Sequence, residues 1–323
     1  IKGTLDLLLV PEAVPAVAPV LPGIKVIPGL PVLSFWHWII AIFIVAAVHE
    51  FSHGIIARLY NTKVKSSGIA LFGPILGAFV EPDEKQLTKM SNKVQLAVFS
   101  AGPFSNIVLG VIFIVIMNGI SAPIYEKVFQ GDGIIVNDIM EKYPAANSGI
   151  KTPFTITKLN GKQTLDMKEF VESTKDLKPG DTLSLETDKG KYDIKSVENP
   201  NNKTRAFIGI SNFDVKTKVR SNILSRYGSF WPSVFAWFHM LIFWMVVVNI
   251  GVGLFNLLPL GPVDGGRMFL TFSLAIFKNK KKGKKLWALV TYLILLLILI
   301  NLLPFLWKML VFLAKPLMML LGA

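Results

Sequence analysis

The sequence predicts a multi-spanning α-helical membrane protein: a three-helix core with a further C-terminal helix or helices, a membrane-dipping β-hairpin and an inserted α+β domain. Three observations carry this. Of the 323 residues, 52% are hydrophobic and 17% are charged, against roughly 25% charged in soluble domains. Mean hydropathy is +0.53. Apolar stretches of the length needed to cross a bilayer, about 20 residues in a helix, recur along the chain, and one long polar segment interrupts them.

Residues 1–32 form a lead-in punctuated by Pro11, Pro15, Pro19, Pro22, Pro28 and Pro31, a spacing that resists a helix and reads as extended. The first membrane part covers residues 33–121, with spans at Leu33–Leu59 and Val94–Ile120. Between them, Val64–Val80 is apolar but cut by Gly68, Gly73, Pro74 and Gly77. It is too short and broken for a span and reads as a hairpin. Residues 122–229 are rich in Lys, Asp and Glu and carry turn signals at Asn160-Gly161, Pro179-Gly180 and Lys189-Gly190, as expected of a soluble domain of strands and helices. The second membrane part covers 230–285 with a span at Val234–Leu258. Residues 286–323 add a span at Leu286–Leu303 and a further apolar stretch, Phe305–Leu321, interrupted by Lys308, Lys315 and Pro316.

Cysteine is absent, which excludes disulfides, zinc ribbons, iron–sulfur clusters and thiol nucleophiles. The net charge of +13 would suit nucleic acid in a soluble protein. Here the lysines fall in short loops, Lys63 to Lys93 and Lys278 to Lys285, and the positive-inside rule accounts for them. The expected partner is membrane lipid, with no nucleic acid. With both loops cytoplasmic, spans one and three run inward, span two runs outward, and residues 122–229 lie outside.

The first span contains His49-Glu50-Phe51-Ser52-His53. Positions i and i+4 share a helix face, so both imidazoles can reach one ion while Glu50 is displaced enough to act on water. This is the zinc-hydrolase spacing. Ionisable groups within a span are expensive and point to function. Zinc needs a third ligand and an open position. The candidate is Asp264, the only acid after Asp214, in Asn256-Leu-Leu-Pro259-Leu-Gly261-Pro262-Val-Asp264-Gly265-Gly266. Pro259, Gly261 and Pro262 break the helix there, and Gly265-Gly266 lets backbone approach closely. His37 and His239 sit among aromatic residues and read as interfacial. Asn106 and Asn256 have two readings: bridging helix backbone, or holding the substrate's backbone.

Together, His49-Glu50-Phe-Ser-His53, Gly102-Pro103-Phe-Ser-Asn106 and Asn256-Leu-Leu-Pro259 with Asp264-Gly265 resemble the site-two protease family of intramembrane zinc metalloproteases. The resemblance implies that His49, His53 and Asp264 bind Zn2+, that Glu50 is catalytic, and that the three-helix core is the catalytic one. Residues 122–229 resemble the PDZ domain that prokaryotic members carry at this place. The match lies in Pro144-Ala-Ala-Asn-Ser-Gly149-Ile150, Ile156-Thr-Lys-Leu-Asn160-Gly161-Lys162 and Lys178-Pro179-Gly180-Asp181. Thr152-Pro153-Phe154 replaces the usual Gly-Asp. Asp132-Gly133-Ile134-Ile135 has two readings, the carboxylate-holding loop of such a domain or an ordinary strand start, and peptide ends are the expected partner of this domain.

The expected activity is cleavage of transmembrane protein substrates at an active site within the membrane, towards its cytoplasmic side. Zinc would activate water, Glu50 would move its proton, and Asn106 or Asn256 would help to hold the oxyanion. Two rivals belong to other classes. One is an inactive membrane scaffold that recruits partners through the PDZ-like domain; the retained Glu50 argues against it. The other is an ion transporter, which would have no use for a general base beside its transit ligands.

Overall fold

Ser34 accepts the His37 N–H at its side chain, an N-cap that starts the first helix. A computed structural model of the chain describes residues 19–24, 30–73, 75–200, 202–277 and 279–320. Most of the lead-in, with its expected extended form, therefore lies outside the described residues. Helix α1 is Phe35–Leu59. Strands β1 (Val64–Phe72) and β2 (Ile75–Pro82) form an antiparallel hairpin in which Ser67 faces Val80 and Ala70 faces Gly77, as the composition predicts. Asp83 caps the single turn α2, Glu84–Leu87. Ser91 caps α3, Asn92–Ile116. A π-helical turn, Met117–Ser121, then carries the chain into α4, Ala122–Val128. The apolar helical segment thus runs past the expected end at Ile120.

The chain divides into two compact units, and residues 120–239 make up nearly all of the second. Its strands are β3 (Phe129–Ile139), β4 (Phe154–Leu159) and β5 (Lys162–Gln163). Helix α5, Met167–Thr174, follows. Asp166 accepts the Glu169 N–H while the Glu169 carboxylate accepts the Leu165 N–H, a reciprocal cap. Next come β6 (Thr182–Thr187), β7 (Gly190–Lys195), β8 (Val197–Asn199), β9 (Asn202–Phe207) and β10 (Ile210–Val219). Strands β10-β3-β4-β6-β7 lie in that order in one sheet, β5 pairs with β4, and β8 and β9 make a separate ribbon. Ile134, Ile156 and Leu185, wholly buried, lie at its core.

One expectation is corrected here. Asp132-Gly133-Ile134-Ile135 is not a loop but the middle of β3, with β10 on one side and β4 on the other. The Gly133 N–H is taken by the Leu165 carbonyl, 3.2 Å, and Asp132 is ion-paired with Lys216 and Lys218. The edge strands are β10 and β7, and the Phe213 ring on β10 lies 5.3 Å from the Phe170 ring of α5.

Helix α6, Ser221–Tyr227, precedes the long α7, Phe230–Asn256. After a turn, α8 covers Asp264–Ile276 and α9 covers Lys280–Leu320. The sequence predicts a loop through Lys285 and a break after Leu303. Instead, the lysines form the first turns of α9, and the helix continues through Pro304. Among the described residues, four helical segments are long and apolar enough to cross a membrane. Trp36, Ile55, Val115, Leu289 and Leu296 stand exposed on them, a surface suited to lipid rather than water.

Within the first unit, Leu33, Ala41 and Val45 pack against Trp244, Met245 and Val248 of α7. Nearer the other end of α1, Ala57 packs with Leu87, Val98 and Phe99. Helix α1 is thereby clasped between α3 and α7.

Candidate metal centre

The spacing of His49 and His53 on α1 puts their ring centroids 4.8 Å apart, with the two Nε2 atoms 3.2 Å apart. Asp264 opens α8, and its Oδ2 lies 3.0 Å from His49 Nε2 and 3.2 Å from His53 Nε2. Two imidazoles and a carboxylate therefore converge on one point, each side chain no more than 15% exposed. The three donor atoms lie within 4.8 Å of one another. Among the described residues this is the only such group of three or more metal-ligating side chains. The donor set suits zinc, which takes imidazole nitrogen and carboxylate oxygen readily.

The backbone around Asp264 explains how it gets there. The chain leaves α7 at Asn256 and turns back through short hydrogen bonds, Leu260 N–H to Leu258 O and Val263 N–H to Leu260 O. At Gly266 a Cβ would stand 2.0 Å from the Leu260 carbonyl oxygen, so only glycine lets α8 start so close to the turn. Helix α9 braces the turn: Trp287 Nε1 donates to the Gly266 carbonyl, 2.9 Å, and Thr291 Oγ1 to that of Pro259, 3.4 Å.

Helix α3 supplies the opposite wall. Val98, Gly102 and Asn106 recur every four residues and share one face. The Val98 carbonyl lies 2.7 Å from His53 Nδ1, and the Asn106 amide lies 3.0 Å from His49 Nδ1. Between them, a Cβ on Gly102 would come within 2.4 Å of His53 Nε2 and 2.6 Å of His49 Nε2. The missing side chain is the space in which both imidazoles sit.

Glu50 is half-buried beside the two histidines, and its Oε2 accepts the Val80 N–H from β2, 3.1 Å. It shares a cavity of about 660 Å³ with His49, His53, Asp264 and Asn256. The exposed charges of Arg267 and Glu84 also line it. They pair at 3.1 Å, and the Arg267 guanidinium lies over the Phe99 ring.

Of the six residues singled out in the sequence, His49, His53 and Asp264 meet at one point, and Glu50 and Asn256 line the cavity beside it. The Asn256 Nδ2 donates to the Val252 carbonyl, 3.1 Å. Asn106 does not reach the cavity; it is fully buried behind His49. His37 is buried near Ser34, and His239 accepts or donates at 2.7 Å to Ser121 and stacks on Tyr125. Sequence reasoning missed the Val98 carbonyl and the Val80 N–H, both main-chain groups that no residue type announces. It also missed Gly102 as the floor of the site, although the four-residue spacing of Val98, Gly102 and Asn106 was there to be read.

A helical core that brings two imidazoles, a carboxylate and a separate glutamate to one cavity has the parts of a metallohydrolase. Residues 37–299 match the sequence model of peptidase family M50, and the chain belongs to that family, which is one of membrane metalloproteases. The chain is also 29% identical over 259 residues to an uncharacterized protein of Methanocaldococcus jannaschii, MJ0971. That match covers 80% of this chain and 61% of the relative, so the chain spans about three fifths of the relative's length. Part of the chain, 28%, is similar to the PDZ domain of the SdrC-like protein from Listeria monocytogenes, at 23% identity over 92% of that domain and a TM-score of 0.22.

Proposed function

We propose that this chain is an intramembrane zinc metalloendopeptidase that cuts transmembrane segments of membrane proteins. The observation that carries the reading is the meeting of His49, His53 and Asp264 with Glu50 in one cavity. His49, His53 and Asp264 would hold the ion. Zinc, when bound, supplies Lewis acidity, lowering the pKa of water towards about 7 and polarising the scissile carbonyl. Glu50 takes a proton from the attacking water and delivers it to the leaving amine. Val80 fixes the Glu50 carboxylate through its N–H. Asn256 borders the same cavity and is the better of the two amides for holding the substrate's carbonyl oxygen.

A substrate helix must unwind for its carbonyls to be reached. The hairpin offers an edge for the extended chain. The Val80 N–H is taken by Glu50, so the edge of β2 beside the site could offer only its remaining outward amides, which recur at every second residue. Residues 122–229 would serve as an extracytoplasmic PDZ-like domain, with the edge of β10 beside α5 as the place for a peptide end. The membrane parts would be 33–121 and 230–285, followed by a C-terminal helix. The fixed Glu50, set against the ligands but not one of them, favours an enzyme over a scaffold or a transporter.

The test is cleavage of a labelled transmembrane peptide by the purified chain in detergent. Wild type should cut, chelation should stop it, and zinc should restore it. A chain that binds zinc and leaves every such peptide intact would move the reading to the scaffold.

A further inference from the structure

The sequence motif Gly102-Pro103-Phe-Ser-Asn106 has no part in the chemistry described above, and Asn106 is the fully buried member of it. Its position defines a task. Each histidine of the pair has one nitrogen, Nε2, turned to Asp264 and the other, Nδ1, turned to α3. For His53 the group at Nδ1 is the Val98 carbonyl, which can only accept. Nδ1 must then carry the proton, and Nε2 is left with its lone pair free for a metal. His49 has no carbonyl at its Nδ1. It has the Asn106 carboxamide, 3.0 Å away.

A carboxamide can present a donor or an acceptor from the same place by a half-turn. With Nδ2 facing His49, as in this structure, Nδ1 must accept, and the proton sits on Nε2, directed at the Asp264 carboxylate. The Asn106 oxygen is then buried with no partner. With the oxygen facing His49, Nδ1–H donates to it, and Nε2 becomes a ligand. The unpartnered oxygen of the first orientation does not by itself choose between the two. The tautomer that a ligand at Nε2 requires does choose. Resting on the metalloprotease reading above, we infer that Asn106 is a positioning residue for the metal: in the loaded site its carbonyl oxygen accepts a hydrogen bond from the His49 Nδ1–H, holding this ring in the ligating tautomer as Val98 holds its neighbour. Partners of this kind on ligating histidines tune metal affinity, and their loss costs roughly 10- to 100-fold.

Two substitutions separate this role from its rivals. Asn106→Asp keeps an acceptor at Nδ1 and removes the donor. Asn106→Leu has similar volume and removes both. Zinc affinity of the purified full chain, measured by competition with a chelator, should fall about 10- to 100-fold for Asn106→Leu and stay at or above the wild-type value for Asn106→Asp. A purely structural role predicts the reverse order, because burying a carboxylate is unfavourable and burying leucine is not. A substrate-holding role predicts that neither change moves zinc affinity. Thermal unfolding of each variant without metal reads the fold separately. A second measurement needs no variant at Asn106. The chain has four histidines, so nitrogen NMR of 15N-histidine-labelled protein can follow each ring. Loading zinc should move the His49 proton from Nε2 to Nδ1 and slow its exchange with water. Equal zinc affinity in wild type and Asn106→Leu, or a zinc-loaded His49 whose Nδ1–H exchanges freely, overturns the inference. A wild-type chain that binds no zinc would instead overturn the metalloprotease reading on which it rests.

Discussion

The two units treat ionisable groups in opposite ways. In the sheet unit, acids lie at the surface beside lysines: Asp132 with Lys218 at 2.7 Å, Glu186 with Lys158 at 2.9 Å. Water screens such pairs, and they contribute little. In the helical unit, His49, His53 and Asp264 are turned inward onto each other, where burying them unpaired would be costly. The first arrangement serves solubility and could be edited freely. The second has no purpose in stability that leucines would not serve better, which is why it marks the site.

The largest effects should come from breaking the inward cluster. His49→Ala, His53→Ala or Asp264→Ala should reduce cleavage to background and weaken zinc, since each removes one of three ligands. Metal analysis of the folded variants checks this. Full zinc retention by Asp264→Ala would take Asp264 out of the site and dissolve the contrast between the units.

The converse change tests whether the units are independent. Ile156 and Leu185 are wholly buried in the sheet unit. Either one replaced by Ala should cost about 2–5 kcal/mol of that unit's stability, seen as earlier unfolding, while zinc content stays at the wild-type value. Zinc lost in parallel would mean that the two units unfold as one.

A smaller effect should distinguish the edges of the hairpin. Since the Val80 N–H faces Glu50, Ala78 also turns its N–H outward on β2, whereas Ala70 and Phe72 on β1 face the ladder. Ala78→Pro should slow cleavage about five- to tenfold, equivalent to one lost hydrogen bond, with zinc unchanged. Ile69→Pro, on the outer edge of β1, should leave the rate as it was. Equal rates for both variants would reject strand addition at β2.

The smallest effect belongs to the surface pairs. The Lys218 ammonium hydrogen-bonded to Asp132, against the opposing effect of burial and with Lys216 nearby, holds that carboxyl below its ordinary value. A depressed carboxyl contributes stability above its unfolded pKa, near 3.9, and the contribution disappears as pH falls through the folded value. Lys218→Ala should therefore lower stability slightly near pH 7, leave it unchanged at pH below the folded value, and so flatten the loss of stability on acidification, measured by thermal unfolding of the full chain.

Much of the helical unit was legible because its signals are local. Length and apolarity give the candidate spans, the four-residue interval of His49 and His53 gives two candidate ligands, and the lone Asp264 among Pro and Gly gives the third side chain that meets them. What escaped was set by packing. Pro304 was expected to end a span, yet α9 passes through it. Asp132 to Ile135 read either as a carboxylate-holding loop or as a strand start; β10, some eighty residues later, returns to pair with it as a strand, and no local pattern reports such a partner. The surroundings of the histidines come from main-chain groups and from the absence of a side chain at Gly102, neither of which has a residue signature. Asn106 was found by its motif with two readings, bridging helix backbone or holding the substrate, and its side chain lies against His49, a neighbour that the motif does not announce.

The central claim is that three side chains hold the metal and a fourth moves protons without holding it. Zinc per chain and peptide cleavage, measured together on wild type and Glu50→Gln, test it most directly. The account predicts about one zinc per chain in both proteins and cleavage in wild type alone. Zinc lost from Glu50→Gln, or cleavage surviving in it, would contradict the account.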